Sequence, residues 1–216
     1  MNRQNIIFVS LLGILAAALV MAGYATGRGP LGVISSGILH LTSGGQMIPS
    51  RTLVTEKKAP LAPEISGNQW INSEPLTLQS LRGRVVLIEF WTFACYNCRN
   101  TLPTVKMWDS RYRDKGLTII GVHTPEFDAE RNIDGLRREV AALGITYPVV
   151  SDNDYATWKA YKVEAWPTLF VLDKQGHVRW VRVGEGAYAE TEEVIKKLLA
   201  EQETGDAAKP AENSGK

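Results

Sequence analysis

The chain has 216 residues, of which 44% are hydrophobic and 22% charged, the balance of a folded globular protein and not of a disordered one. Its formal net charge of +1 offers no electrostatic reason to expect nucleic acid as a partner. Its 2 cysteines are too few for a disulfide scaffold or a four-cysteine zinc site.

The first element is apolar. No charge falls between Arg3 and Arg28, and only Ser10 and Gly13 interrupt the run Ile6 to Ala22. A soluble helix shows polar residues every three or four positions. A run apolar on every side behind a short basic start reads as a signal anchor over 1–27, close to the roughly 20 residues a membrane-spanning helix needs. The small residues Gly23, Ala25 and Gly27 keep a cleaved signal open as the alternative. The hydrophilic remainder is expected outside the cytoplasm: a single-pass inner (cytoplasmic) membrane anchor with a periplasmic domain, although basic residues flank the run on both sides.

Residues 28–63 are rich in Gly, Ser and Pro and read as a tether, within which Ile34, Ile38 and Leu41 have the spacing of a short helix. From 64 to 202 the patterns strengthen into one domain. Val85 to Phe90 is a strand buried on both faces, followed by a helix from about Cys98 to Arg113 with Pro103 inside it. Leu117 to Val122 is a second buried strand. Ile133, Leu136, Val140 and Leu143 form a helical stripe that Gly144 stops. Tyr147 to Val150 is a short strand; Thr168–Leu172 and Val178–Val183 flank the turn residues Asp173–Gly176 as a hairpin. Val194, Ile195, Leu198 and Leu199 mark a C-terminal helix, and 203–216 is a polar, flexible tail. The fold class is therefore α/β, with a central mixed sheet flanked by helices.

The two cysteines lie together, as Cys95-Tyr96-Asn97-Cys98, directly after a buried strand and at a helix start. That spacing lets both sulfurs meet across a small ring, and the helix N-terminus favours a thiolate at the first. Cys95 would attack, and Cys98 would resolve the mixed disulfide. A structural bridge over so short a loop restricts the unfolded chain little. A metal site would need two more ligands, for which His123 is one candidate.

The surroundings of the pair resemble the thioredoxin superfamily. Glu89, Phe90 and Trp91 stand where a thioredoxin has its buried acid, Phe and Trp. Pro103 matches the helix proline, Trp166-Pro167-Thr168 the cis-proline loop, and Val183-Gly184 the end of the last strand. The stretch from Cys98 to Pro167 exceeds that of a minimal thioredoxin by one helix–strand unit, supplied by Glu126 to Val150. With Leu81-Arg82-Gly83-Arg84 before the strand, this resembles the TlpA/ResA-like branch. Gly121-Val122-His123-Thr124-Pro125-Glu126-Phe127 and Tyr188-Ala189-Glu190-Thr191-Glu192 resemble the thioredoxin-like domain of DipZ proteins.

The resemblance implies a thioredoxin-like fold and a membrane-anchored, extracytoplasmic thiol–disulfide oxidoreductase, a reductase of protein disulfides of the kind used in cytochrome c maturation. Its partners would be protein thiols and disulfides and a CcdA/DsbD-like membrane electron donor. It would need no cofactor beyond the Cys95–Cys98 disulfide, and no metal. Glu89 would pass a proton to or from Cys98, its pKa raised by burial. Trp166, Pro167 and Thr168 would meet the substrate, while Tyr96, Asn97 and Trp91 would tune the pair. Two alternatives remain. One is a peroxiredoxin-like thiol peroxidase, because Thr92-x-x-Cys95 echoes the end of that motif although Ile88 occupies its proline position. The other is a non-enzymatic copper or zinc chaperone using Cys95, Cys98 and His123.

Overall fold

The computed structural model describes residues 39–41, 47–49, 53–55, 58–67 and 69–202. The expected anchor over 1–27, much of the tether and the tail over 203–216 lie outside them. Among the described residues no helix is long and apolar enough to cross a membrane.

Two three-residue strands, β1 (Leu39–Leu41) and β2 (Met47–Pro49), pair antiparallel. Leu41, expected on a short helix, is therefore in a strand; its backbone pairing with Met47 prevails over its helical spacing with Ile34 and Ile38.

The domain is built on a six-stranded sheet in the order β3-β6-β5-β4-β7-β8. Its middle strand, β4 (Val85–Trp91), is buried at all seven positions, as an uninterrupted apolar run requires. Parallel to it runs β5 (Leu117–His123), with Glu89 opposite Gly121 and Trp91 opposite His123. On its other side β7 (Thr168–Leu172) is antiparallel and continues through a turn into β8 (Val178–Val183). Beyond β5 lie β6 (Val149–Ser151), parallel, and β3 (Trp70–Ile71), antiparallel at the edge.

Alternation along the strands separates two cores. Val85, Leu87 and Trp91 face one side with Leu102, Val105 and Trp108 of helix α1 (Tyr96–Tyr112). Leu136 and Val140 of α2 (Ile133–Ala142) and Val194, Ile195 and Leu198 of α4 (Tyr188–Ala200) join them there. Val86, Ile88 and Phe90 face the other side, against Leu78, Leu81 and Tyr161, the last just past the short helix α3 (Ala156–Ala160). The helix–strand unit read over Glu126 to Val150 is α2 with β6, and it extends the sheet past β5. Both parallel strands at the centre deliver their C-terminal ends, Trp91 and His123, to one pole, the usual place for chemistry in such sheets.

The opposite pole is where residues of the expected tether meet the domain. Val54 N–H donates to the Arg179 carbonyl at 2.9 Å, Ala62 N–H to the Gly176 carbonyl at 2.9 Å, and Leu61 bridges to His177.

Candidate active site

After Trp91 the chain turns through Thr92–Ala94 into α1, and Cys95 is that helix's N-cap, with extended backbone (φ −71°, ψ 118°). Its Sγ accepts the Cys98 N–H at 3.2 Å. N-caps usually carry an oxygen that takes up one of the free N–H groups of the first turn; here a sulfur does so. The same donor and the positive end of the helix dipole favour a thiolate at Cys95 once the pair is reduced. Cys95 and Cys98 are joined as a disulfide with Cα atoms 5.3 Å apart. Cys98 is 0% exposed while Cys95 is half-buried, so Cys95 is the sulfur a partner can reach.

Glu89 is fully buried on the α1 face of β4. Burial pushes its carboxyl up to about 7, opposed by a hydrogen bond that the Tyr147 hydroxyl donates to Oε2 at 3.0 Å. Oε1 has no protein partner among the described residues. A side chain at Gly121, opposite Glu89, would meet Trp91 Nε1 at 2.8 Å and Tyr147 Cε2 at 3.2 Å. Its absence lets the indole and the phenol pack above β5 beside the acid.

The third strand to reach this pole begins at Thr168, paired with Phe90 and Val183. The Trp166–Pro167 bond before it is cis, and the Pro167 carbonyl accepts Gly184 N–H at 2.8 Å. Trp166 donates its indole N–H to the Thr124 carbonyl at 3.0 Å and packs on Trp158 with ring centroids 4.3 Å apart. The Thr168 hydroxyl is taken by the Ala165 carbonyl at 2.7 Å. Tyr96 is 76% exposed on the rim, and the Asn97 carbonyl accepts the Thr101 hydroxyl at 2.9 Å. Trp91 is buried and meets His123 edge-on at 5.4 Å. The fold thus gathers Glu89, Trp91, Cys95, Cys98 and the 166–168 loop at the ends of β4, β5 and β7.

It also brings in residues that the sequence reading missed. Glu130, in a short 3-10 turn (Asp128–Arg131), is only 2% exposed. Its Oε1 accepts the Thr92 hydroxyl and, at 3.0 Å, the Ala94 N–H. Its Oε2 accepts the N–H groups of Glu126 and Phe127 at 2.7 and 2.9 Å. Desolvation raises its pKa, but the bonds from Thr92, Phe127, Ala94 and Glu126 outweigh it and hold the group below the ordinary value.

His123 Nε2 lies 3.3 Å from Thr92 Oγ1. Because Thr92 gives its one proton to Glu130, Nε2 must carry the hydrogen, which fixes the tautomer. His123 stacks on Phe93 at 5.2 Å, and burial lowers its pKa to about 4. Tyr147 is the other missed partner. It reads as part of an apolar strand run, and nothing there marks its hydroxyl as bound for Glu89. Among the described residues, no three or more His, Cys, Asp or Glu side chains are grouped to hold a metal ion.

The AhpC/TSA family matches residues 59–181. Among curated proteins, DipZ of Mycobacterium tuberculosis is 43% identical over 148 residues, 67% of this chain and 21% of DipZ. The chain thus spans about a fifth of that relative. The thiol-disulfide oxidoreductase YkuV of Bacillus subtilis is 30% identical over 142 residues, 65% of this chain and 95% of YkuV. Among solved structures, a thioredoxin-like superfamily protein superposes with a TM-score of 0.63 at 29% identity, over 67% of this chain and 99% of the other. The fold is thioredoxin-like.

Proposed function

We propose that this chain, which belongs to the AhpC/TSA family, is a thiol–disulfide oxidoreductase that reduces disulfides of client proteins through Cys95 and Cys98. The observation that carries the reading is the asymmetry of the pair: Cys95 caps the helix and is reachable, while Cys98 is buried. The Cys95 thiolate attacks one sulfur of the client disulfide. A mixed disulfide forms, and the other client sulfur leaves as a thiolate and takes a proton. Cys98 then attacks Cys95 Sγ, giving its thiol proton to ionised Glu89, and the second client thiolate leaves. Two electrons pass to the client; its second thiolate takes the Cys98 proton back from Glu89, which is ionised again, and the proton taken by the first matches the one Cys95 released on ionising. The Cys95–Cys98 disulfide is the oxidised product, which a dithiol donor must reduce again.

The test is an insulin-reduction assay. Cys95→Ser abolishes turnover; Cys98→Ser stops at a mixed disulfide with the client that mass spectrometry detects. Full activity in Cys95→Ser would sink the assignment.

The same reading makes the domain extracytoplasmic, anchored by residues 1–27, with an integral-membrane dithiol carrier of the CcdA/DsbD kind as donor and cytochrome c maturation as a setting. Its support is the charge-free run behind Arg3 together with a redox pair free of competing cysteines. Alkali extraction of membranes that leaves the full chain in the pellet, and accessibility to external protease, are the expected results. The peroxidase alternative needs a hydroxyl beside the attacking sulfur. Thr92 gives its proton to Glu130, so none is left for a peroxide oxygen; peroxide consumption should stay at background.

A further inference from the structure

Two buried carboxylates flank the cysteine turn, and they behave differently. Glu89 titrates near neutrality. Glu130 is held by four neutral donors, the Thr92 hydroxyl and the N–H groups of Ala94, Glu126 and Phe127, which solvate its charge without cancelling it. His123, the titratable side chain linked to this cluster through Thr92, is neutral at pH 7.

We propose that Glu130 is a positioning residue for Cys95 whose fixed negative charge, bonded to the N–H of the residue just before it, makes the dithiol a stronger reductant. The proposal rests on the thiol-exchange reading above. Its mechanism is electrostatic. The helix N-terminus draws Cys95 toward the thiolate, and a neighbouring anion opposes that. The disulfide has no ionisable sulfur, so the charge acts on the reduced state alone. A less favoured thiolate makes that state less stable and lowers the reduction potential. Three of its four bonds come from the backbone N–H groups of Ala94, Glu126 and Phe127, so the charge stays beside the turn without the Thr92 hydroxyl.

The experiment is equilibration of the Cys95–Cys98 pair with glutathione at pH 7 in wild type, Glu130→Gln and Thr92→Val. Glu130→Gln removes the charge at constant size. Thr92→Val removes one of the four donors but leaves the charge and its three backbone bonds. Glu130→Gln should shift the equilibrium toward the dithiol three- to tenfold, about 15 to 30 mV, and speed alkylation of Cys95 by a similar factor. Thr92→Val should lose thermal stability yet stay within twofold of wild type in both. An unshifted Glu130→Gln, or a Thr92→Val shifted as far, overturns the proposal. Should Glu130→Gln not fold, the pH dependence of Cys95 alkylation in wild type decides: a pKa near the ordinary thiol value of about 8.5 is expected, and one at or below about 7 overturns it. A wild-type pair that does not exchange with glutathione at all would instead overturn the oxidoreductase reading.

Discussion

Glu89 shows how one side chain couples stability to chemistry. An unfolded glutamate ionises at about 4.3, whereas in the fold Glu89 does so at about 7 because burial penalises the charge. The folded state therefore holds this proton more tightly. The stabilisation is complete below about pH 4.3 and is lost as pH rises through about 7, by roughly 4 kcal/mol in all. Glu89→Gln removes the dependence. Urea denaturation at pH 4 and pH 8 should show wild type losing about that much relative to the variant. In the proposed mechanism the same substitution removes the acceptor of the Cys98 proton, so resolution of the mixed disulfide should slow about a hundredfold, as a trapped-intermediate time course would show. Tyr147→Phe deletes the bond that opposes the shift, so Glu89 moves further up and the alkaline-favoured resolving step moves to higher pH. The buried Oε2 left without its donor costs about 1–3 kcal/mol, read from the urea midpoint.

Among the elements, β5 is the one whose composition the site dictates. It is apolar along its length, yet it carries glycine at 121, where Trp91 and Tyr147 close over the backbone. Gly121→Ala should cost about 1–3 kcal/mol through overpacking in urea denaturation, and the Trp91 fluorescence should change with it. The strands β4 and β5 were legible as apolar runs, β7 and β8 as the two sides of a hairpin around Asp173–Gly176, α2 and α4 as stripes of 3.6 period, and α1 as a helix following the cysteine pair. The two-residue edge strand Trp70–Ile71 and the five-residue α3 are too short for a period to declare itself. The cysteine pair was legible because spacing and context carry its chemistry. Glu130 was not: it stands in a polar stretch with Glu126 and Asp128 that has the composition of a solvated loop, and only the packing of that loop against Thr92–Ala94 buries it.

At the scale of the whole molecule, one buried guanidinium organises the pole away from the cysteines. Arg179 is 4% exposed. It bonds Asp173 at 3.1 Å, both oxygens of Glu201 at 2.9 and 3.1 Å, and the Val54 carbonyl. This links the β7–β8 turn, the end of α4 and the incoming chain. Arg179→Met leaves buried Asp173 without its cation and should cost about 3 kcal/mol. The expected signs are a lower Tm and faster proteolysis between Val54 and Ala62. Insulin reduction per folded molecule should be unchanged, because the register puts Arg179 at the Val85 end of the sheet and Cys95 beyond the Trp91 end.

Val54 and Glu201 share that one side chain, so the two places where the polypeptide enters and leaves the packed domain are next-door neighbours. Such a geometry suits a cassette. It can be spliced into a loop of a larger host, because the host's cut ends need only come together at a single spot. The join falls on the side facing away from the reactive sulfur, so the same module can serve in very different polypeptides with its working face left clear.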